Sequence, residues 1–346
     1  MTTVKPGGAG RILVVGGYGA VGTTVTAMLE QWFPGRVVPG GRDEDRARRL
    51  GGVRVDTGDP AGFGRVLDDL GDVGAVVLCV EPQDAALARL CLERGIHLVD
   101  VGATHGLLAQ VAQLDDLAAG SGTAAVLSVG VAPGLTNLLA RRVHEEVGGA
   151  QRLDLTLLLG AGERHGADAV RWTVAGLSDP VLARPQRVVL PGYGVRRAHP
   201  FPFSDQHTVR RTLGVPEATT RLCLDSRLLT AALFAVRRLG LLRGTRCPGR
   251  QRLLTQAFSR VHLGGEGFVV RAEARRGDRH AVCALTGRGQ SRVSGLVAAY
   301  VTRAVLAGSV PAGVRHIEQV PVLAELPEEL AVHGVTVYGI TSGARR

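Results

Sequence analysis

The feature that most constrains this chain is a turn. Gly17-Tyr18-Gly19-Ala20-Val21-Gly22 is a G-x-G-x-x-G placed between a short apolar run at 11–15 and a helical pattern at 21–32. In that setting each glycine has a physical task. Gly17 permits the tight turn, Gly19 lets backbone approach a pyrophosphate, and Gly22 lets the helix pack close to the strand. The amide groups and positive dipole end of the helix then face an anion.

The segments after the turn fit the same plan. Strand-like runs at 36–39, 53–56, 75–80, 97–101 and 124–129 alternate with helical patterns at 43–50, 63–70, 83–94 and 107–119. Alternation of this kind makes βαβ units and a parallel sheet. Beyond Pro133 the pattern changes to a helix at 138–147, an alternating strand at 153–159 and a hairpin at 268–275 and 280–286. The expected fold class is α/β, a Rossmann-type doubly wound parallel sheet over 1–132 followed by a second, α+β mixed-sheet substrate domain from 133 on.

Ligands of such sheets bind beyond the carboxyl ends of the strands. The cofactor residues expected there are Gly17, Tyr18, Gly19, Ala20, Val21 and Gly22 in the turn, Arg42 and Asp43 after the second strand, Asp56 and Thr57 after the third, Cys79 and Val80 after the fourth, and Gly102 after the fifth. The second strand ends in Gly40-Gly41-Arg42-Asp43. A guanidinium suits a ribose 2′-phosphate, whereas an acid there suits the free 2′-OH. Arg42, helped by Arg46, points to NADP; Asp43 keeps NAD open.

Composition narrows the remaining classes. Hydrophobic residues are 45% and charged residues 21% of 346, a globular balance. The net charge of +10 is spread along the chain without a basic block, so no nucleic-acid partner is expected. No run of about 18 apolar residues suggests a membrane span, and no secretory signal opens the chain. The five cysteines form no C-x-x-C, so no metal site is expected and a reduced, cytoplasmic setting fits. Patterns for serine hydrolases, zinc peptidases and Walker-type kinases are missing.

The chain resembles the saccharopine dehydrogenase-like family. The segments that carry the resemblance are 16–22, Gly40-Gly41-Arg42, Gly130-Val131-Ala132-Pro133-Gly134-Leu135-Thr136-Asn137, and Gly160-Ala161-Gly162-Glu163-Arg164-His165-Gly166 with Trp172 downstream. The similarity extends to Pro311-Ala312-Gly313-Val314. It implies hydride transfer at a C–N bond, a homodimer formed through the substrate-domain sheet, a substrate domain ending near 314, and a segment 315–346 packing back on the Rossmann domain. Many members read Asp-Pro-Gly where this chain has Ala132-Pro133-Gly134, and Lys5 is the only lysine, which removes a lysine acid/base from the substrate domain.

A hydride transfer leaves a proton to be managed, and histidine titrates nearest neutrality. His165 beside Glu163, and His105 after the fifth strand, are the candidate catalytic groups; a helix-capping loop is the alternative for the first pair. Asn137, Trp172, Tyr193 and Phe203 are the candidate substrate contacts, with 199–207 read either as a lid or as a rigid proline loop. The expected activity is imine reduction or amine oxidation of a small amino-acid-like or specialised-metabolite substrate. The alternatives are a ketone or alkene reductase and an NADP-binding sensor or scaffold without turnover.

Overall fold

The computed structural model describes residues 10–163, 176, 184–238 and 264–344. Two compact units divide the chain: Met1–Gly130 with Ser294–Leu326, and Val131–Val293 with Pro327–Arg346.

The chain first lays down β1 (Arg11–Val15), α1 (Gly22–Trp32), β2 (Val37–Gly41), α2 (Glu44–Arg49), β3 (Val53–Arg54), α3 (Pro60–Leu70), β4 (Val73–Leu78), α4 (Ala86–Glu93), β5 (His97–Asp100), α5 (His105–Ala112), α6 (Asp115–Gly120) and β6 (Ala124–Leu127). In the second unit come α7 (Thr136–Glu146), β7 (Arg152–Leu159), β8 (Gln186–Leu190), β9 (Gly194–Pro200), α8 (Asp205–Thr212), β10 (Glu217–Leu224), α9 (Arg227–Arg238), β11 (Gly267–Arg276) and β12 (Arg279–Arg288). The chain then runs through α10 (Gln290–Leu306), returns to the first sheet as β13 (Gly313–His316) and ends in the second as β14 (Thr336–Ala344).

The first unit is a seven-stranded sheet of order β13-β6-β5-β4-β1-β2-β3, every pair parallel. Ile12, Leu13, Val14, Val76, Val77, Leu98, Val99 and Val126 are fully buried, as consecutive apolar residues must be when helices cover both faces. The expected helix at 107–119 is two helices, α5 and α6, because α5 ends at Ala112 with the Gln113 amide bonded back to Gln110 at 3.2 Å. The third strand is only two residues long, since it pairs β2 through Gly40 and Gly41 alone.

The second unit is a mixed sheet of order β14-β12-β11-β7-β10-β9-β8. β7 and β10 are parallel, and the β11–β12 hairpin and β14 add on antiparallel. Cys283 of β12 donates from Sγ to the Leu139 carbonyl of α7, which sets that face of the sheet against the helix.

Two expectations need correction. Segment 199–207 finishes β9, crosses a short loop at 201–204 and starts α8; Phe201 and Phe203 of that loop are buried against each other, ring centroids 5.1 Å apart, which does not suit a lid. The second boundary expected near 314 is not where the chain divides. Residues from Ser294 to Leu326 belong to the first unit because β13 pairs β6, and Pro327 onward to the second because β14 pairs β12. Strand pairing, not chain order, decides both.

Candidate functional site

The glycine turn leaves β1 at Gly16, whose φ of +80° is in the left-handed region. The amides of Gly16 and Gly17 both donate to the Gly40 carbonyl, at 2.8 and 3.1 Å, which ties the turn to the end of β2. At Gly22 a Cβ would lie 2.1 Å from the Gly16 carbonyl oxygen, so only glycine lets α1 start this close to the turn. Gly19 differs: a Cβ there would meet only the Gly16 oxygen, at 3.1 Å, with open space beyond. No side chain caps α1 and no acid lies in its first turn, so the positive helix end is not neutralised from within.

Tyr18 ties the turn to the start of α2. Its hydroxyl accepts from the Asp43 amide at 2.9 Å and donates to the Asp43 carbonyl at 3.1 Å. Its ring occupies the space a Cβ on Gly41 would take. The Arg46 guanidinium stacks over that ring, 4.7 Å from its centroid, and donates to the Tyr18 carbonyl at 2.9 Å. Asp43 caps α2 by accepting from the Arg46 amide at 2.9 Å. Arg42, between these anchors, is exposed and makes no hydrogen bond or ion pair among the described residues.

At the next strand ends, Asp56 accepts from the Gly58 amide at 3.0 Å and Thr57 is half-buried. Val80 packs where a Cβ on Gly16 would go. Glu81 accepts from the Thr104 amide at 2.8 Å, joining the ends of β4 and β5. Desolvation of the sulfur, with the nearby Asp100 charge, pushes the Cys79 thiol up to about 12. Gly102 donates to Asp100, and His105 opens α5 exposed to solvent.

Asp100 is the acid that nothing in the sequence marks beyond its place at the end of an apolar strand. It is fully buried; Oδ1 accepts from the Gly102 amide at 2.7 Å and Oδ2 has no partner among the described residues. Burial first, then the nearby Glu81 charge, raises its carboxyl to about 6 against the pull of the Gly102 amide. Between its ordinary value of 3.8 and about 6 the folded chain therefore binds more protons here than the unfolded one. The contribution of Asp100 to stability falls as pH rises through that window, by up to about 3 kcal/mol. Melting temperatures of the wild type and Asp100→Asn across pH 4–7 check this. The variant, which keeps an acceptor for Gly102, is expected to show a flatter profile; parallel profiles would overturn the assignment.

In the second unit, Glu163 caps α10: its two oxygens accept from the amides of Gln290 and Ser291 at 2.6 and 2.7 Å. Gly160 and Gly162 permit close backbone approach, since a Cβ on either would lie 2.1–2.2 Å from the carbonyl of Gly265 or Gly264. Asp225, absent from the sequence-based candidates, holds this junction by accepting from Ala161, Ser226 and Gly265 amides. The Tyr193 hydroxyl lies over Gly267, and burial, with the Asp225 charge, raises its phenol above the ordinary value. Asn137 is fully buried, accepting from the Gly134 amide at 3.0 Å and donating to Thr208 at 2.9 Å. Glu163, Tyr193 and Asp225 thus gather at one end of the second sheet; Asn137 and Phe203 are packed inside the unit. His165 and Trp172 lie outside the described residues.

A parallel sheet with a glycine turn at its first strand–helix junction, and an arginine after its second strand that is unpaired among the described residues, has the features of a dinucleotide-binding domain. Residues 12–126 match the family model of the saccharopine dehydrogenase NADP binding domain. The protein is an NAD(P)-dependent oxidoreductase with an NADP-binding domain. A search of the curated proteins returns no match. Among solved structures, the chain is similar to the WlbA (WbpB) dehydrogenase from Thermus thermophilus in complex with NAD and UDP-GlcNAcA, at 15% identity over 92% of this chain and 94% of that one, TM-score 0.41. It is also similar to an oxidoreductase from Sinorhizobium meliloti, at 14% over 85% and 88%, TM-score 0.39. A third is biliverdin reductase from Synechocystis in complex with biliverdin and NADP+, at 13% over 92% and 98%, TM-score 0.36. No helix among the described residues is long and apolar enough to cross a membrane.

Proposed function

We propose that the protein uses NADPH in preference to NADH and transfers a hydride at a C–N bond, reducing an imine or oxidising an amine of a small amino-acid-like or specialised-metabolite substrate. The observation that carries the cofactor preference is Arg42. It is exposed and unpaired among the described residues while its neighbour Asp43 is committed to capping α2, so a positive group rather than an acid is free where the ribose 2′-substituent binds. Arg42→Ala is expected to weaken NADPH about ten- to a hundredfold, the worth of one charge-assisted contact of about 1.5–3 kcal/mol, and to leave NADH unchanged. Fluorescence titration of both cofactors reads this directly; equal affinity of the wild type for the two would remove the role.

The C–N chemistry is supported by the saccharopine dehydrogenase type of the cofactor domain. Its test is NADPH oxidation over cyclic imines, ketones and enones. Turnover confined to imines supports the reading; turnover confined to ketones or enones replaces it with a carbonyl or alkene reductase, and binding without turnover replaces it with a sensor.

His165 and His105 are the proposed proton donors, with Glu163 as the positioning residue that fixes the 160–163 loop through its bonds to α10. Tyr193, and with it Trp172, Asn137 and Phe203, are the proposed determinants of the substrate pocket. We also propose a homodimer and a reducing, cytoplasmic setting. The latter is supported by Cys79, Cys91, Cys223 and Cys283, which are unpaired and of which all but Cys79 are buried.

A further inference from the structure

The second unit carries a cavity of about 680 Å³ between the β8–β9 hairpin and α9. That size is within the range of roughly 300–1,000 Å³ usual for small-molecule sites. Its charge is one-sided. Arg187, Arg196, Arg197, Arg227 and Arg238 line it, and no aspartate or glutamate does among the described residues.

The arrangement is unfavourable without a counter-charge. Arg187 and Arg197 stand directly opposite each other across the hairpin, and like charges in that register repel. Both are exposed, and neither makes a hydrogen bond or ion pair among the described residues. The Nε of Arg196 is buried and has no partner among them either. Other arginines of the unit are matched by acids, Arg152 and Arg221 by Asp154, Arg271 and Arg275 by Glu273. Among the described residues none of the cavity arginines has an ion pair, and Arg196 and Arg227 donate only to the backbone carbonyls of Val195 and Asp225.

Its opposite wall is one face of α9. Arg227, Thr230, Ala231, Phe234, Ala235 and Arg238 recur at helical spacing on that face. The small residues in the middle leave room, and the arginines at the two ends are roughly 16 Å apart along the helix axis. His199 and Phe234 stack in parallel, ring centroids 4.0 Å apart, and form a flat apolar patch in the wall. Burial, with Arg197 and Arg237 nearby, pushes the His199 imidazole down to about 4, so the ring is neutral at physiological pH and the positive charge comes from guanidinium groups alone.

We propose that this cavity is a binding site for a small molecule bearing two or more anionic groups, carboxylate or phosphate, gripped by Arg187 and Arg197 on one wall and by Arg227 and Arg238 on the other. Guanidinium groups bind both kinds of anion through paired N–H donors. The flat His199–Phe234 patch and the short Thr230–Ala231 segment accept the ligand body between the charged ends.

The experiment is isothermal titration of the full chain, saturated with NADPH so that the dinucleotide site is filled, with citrate in one arm and inorganic pyrophosphate in the other. Saturable binding in at least one arm is expected, and the arm that binds more tightly tells carboxylate from phosphate. The double variant Arg187→Ser with Arg197→Ser is expected to bind the probe about tenfold more weakly or worse. It should keep NADPH affinity and melt no lower than the wild type, since a repulsive pair has been removed. Arg65→Ser with Arg89→Ser, on the first unit, removes the same charge as a control. No saturable binding in either arm, unchanged binding by the double variant, or an equal loss in the control would overturn the proposal. The readout needs no turnover, so its failure is separate from failure of the proposed reaction.

Discussion

Gly22→Ala is expected to destabilise the protein by about 3 kcal/mol, the upper range for forcing extra volume into a packed site. The cause is local. A Cβ at this position would lie 2.1 Å from the Gly16 carbonyl oxygen, 2.7 Å from its carbon and 2.8 Å from the Gly17 Cα, all backbone atoms that no rotamer change can move. Relief requires α1 to shift away from β1, and that breaks the bonds that pin Gly16 and Gly17 to Gly40. Urea denaturation should show an earlier midpoint with an unchanged slope. Gly19→Ala separates folding from binding in the same turn. Its Cβ has one neighbour at 3.1 Å and otherwise enters open space, so this variant should unfold with the wild type yet lose NADPH affinity. Two variants of equal stability would remove the packing role of Gly22, and unaltered NADPH binding by Gly19→Ala would remove the pyrophosphate role of Gly19.

The readiness with which different parts of the fold show in the sequence depends on how local their causes are. β1, β4 and β5 were legible because a strand buried on both faces must be an apolar run, and the turn because a helix start beside a strand end demands glycine. The β11–β12 hairpin was legible through Arg276-Gly277-Asp278, where Gly277 takes a φ of +53°. β13 and β14 were not. Gly313–His316 pairs Ala124–Leu127 from almost two hundred residues away, and nothing within four residues encodes such a partner. α8 was hidden because Pro200, Pro202 and Ser204 announce a turn, while what fixes the helix is burial of Asp205 and Thr208 against Thr220 and Asn137.

The same limit applies to side chains. Arg42 and the glycines could be named because the chemistry of a dinucleotide dictates residue types at known offsets. Glu163 drew attention as an acid beside a histidine, yet both its oxygens bind amides more than 120 residues later in the chain. Asp100 and Asp225 drew none: a carboxylate that holds amides from another segment looks, in sequence, like any strand-end acid. Arg187 and Arg197 were two among many arginines until the hairpin register set them opposite each other.

The second large effect is expected in the interior of the mixed sheet. Asp154 of β7 and Arg221 of β10 are paired there with only 4% of either side chain exposed, and Arg152 adds a second bond to Asp154 at 2.8 Å. Burial pushes the Asp154 carboxyl up, but hydrogen bonds from Arg152 and Arg221 and their charges more than offset it and hold it below its ordinary value. The stabilisation is therefore fully present above the ordinary carboxylate range and is lost as pH falls through the lowered folded value. Asp154→Ala leaves the Arg221 guanidinium, already short of a partner at Nε, stranded in the sheet. The expected cost is about 3–5 kcal/mol, because removing one member of a buried pair leaves an uncompensated charge. Asp154→Leu combined with Arg221→Met should recover most of that loss, since apolar residues of similar volume need no counter-charge. Urea titrations of the wild type, the single variant and the double variant at pH 7 give the comparison. If Asp154→Ala costs no more than the double variant, the pair does not act as a buried charge couple, and solvent suffices to satisfy the Arg221 guanidinium alone.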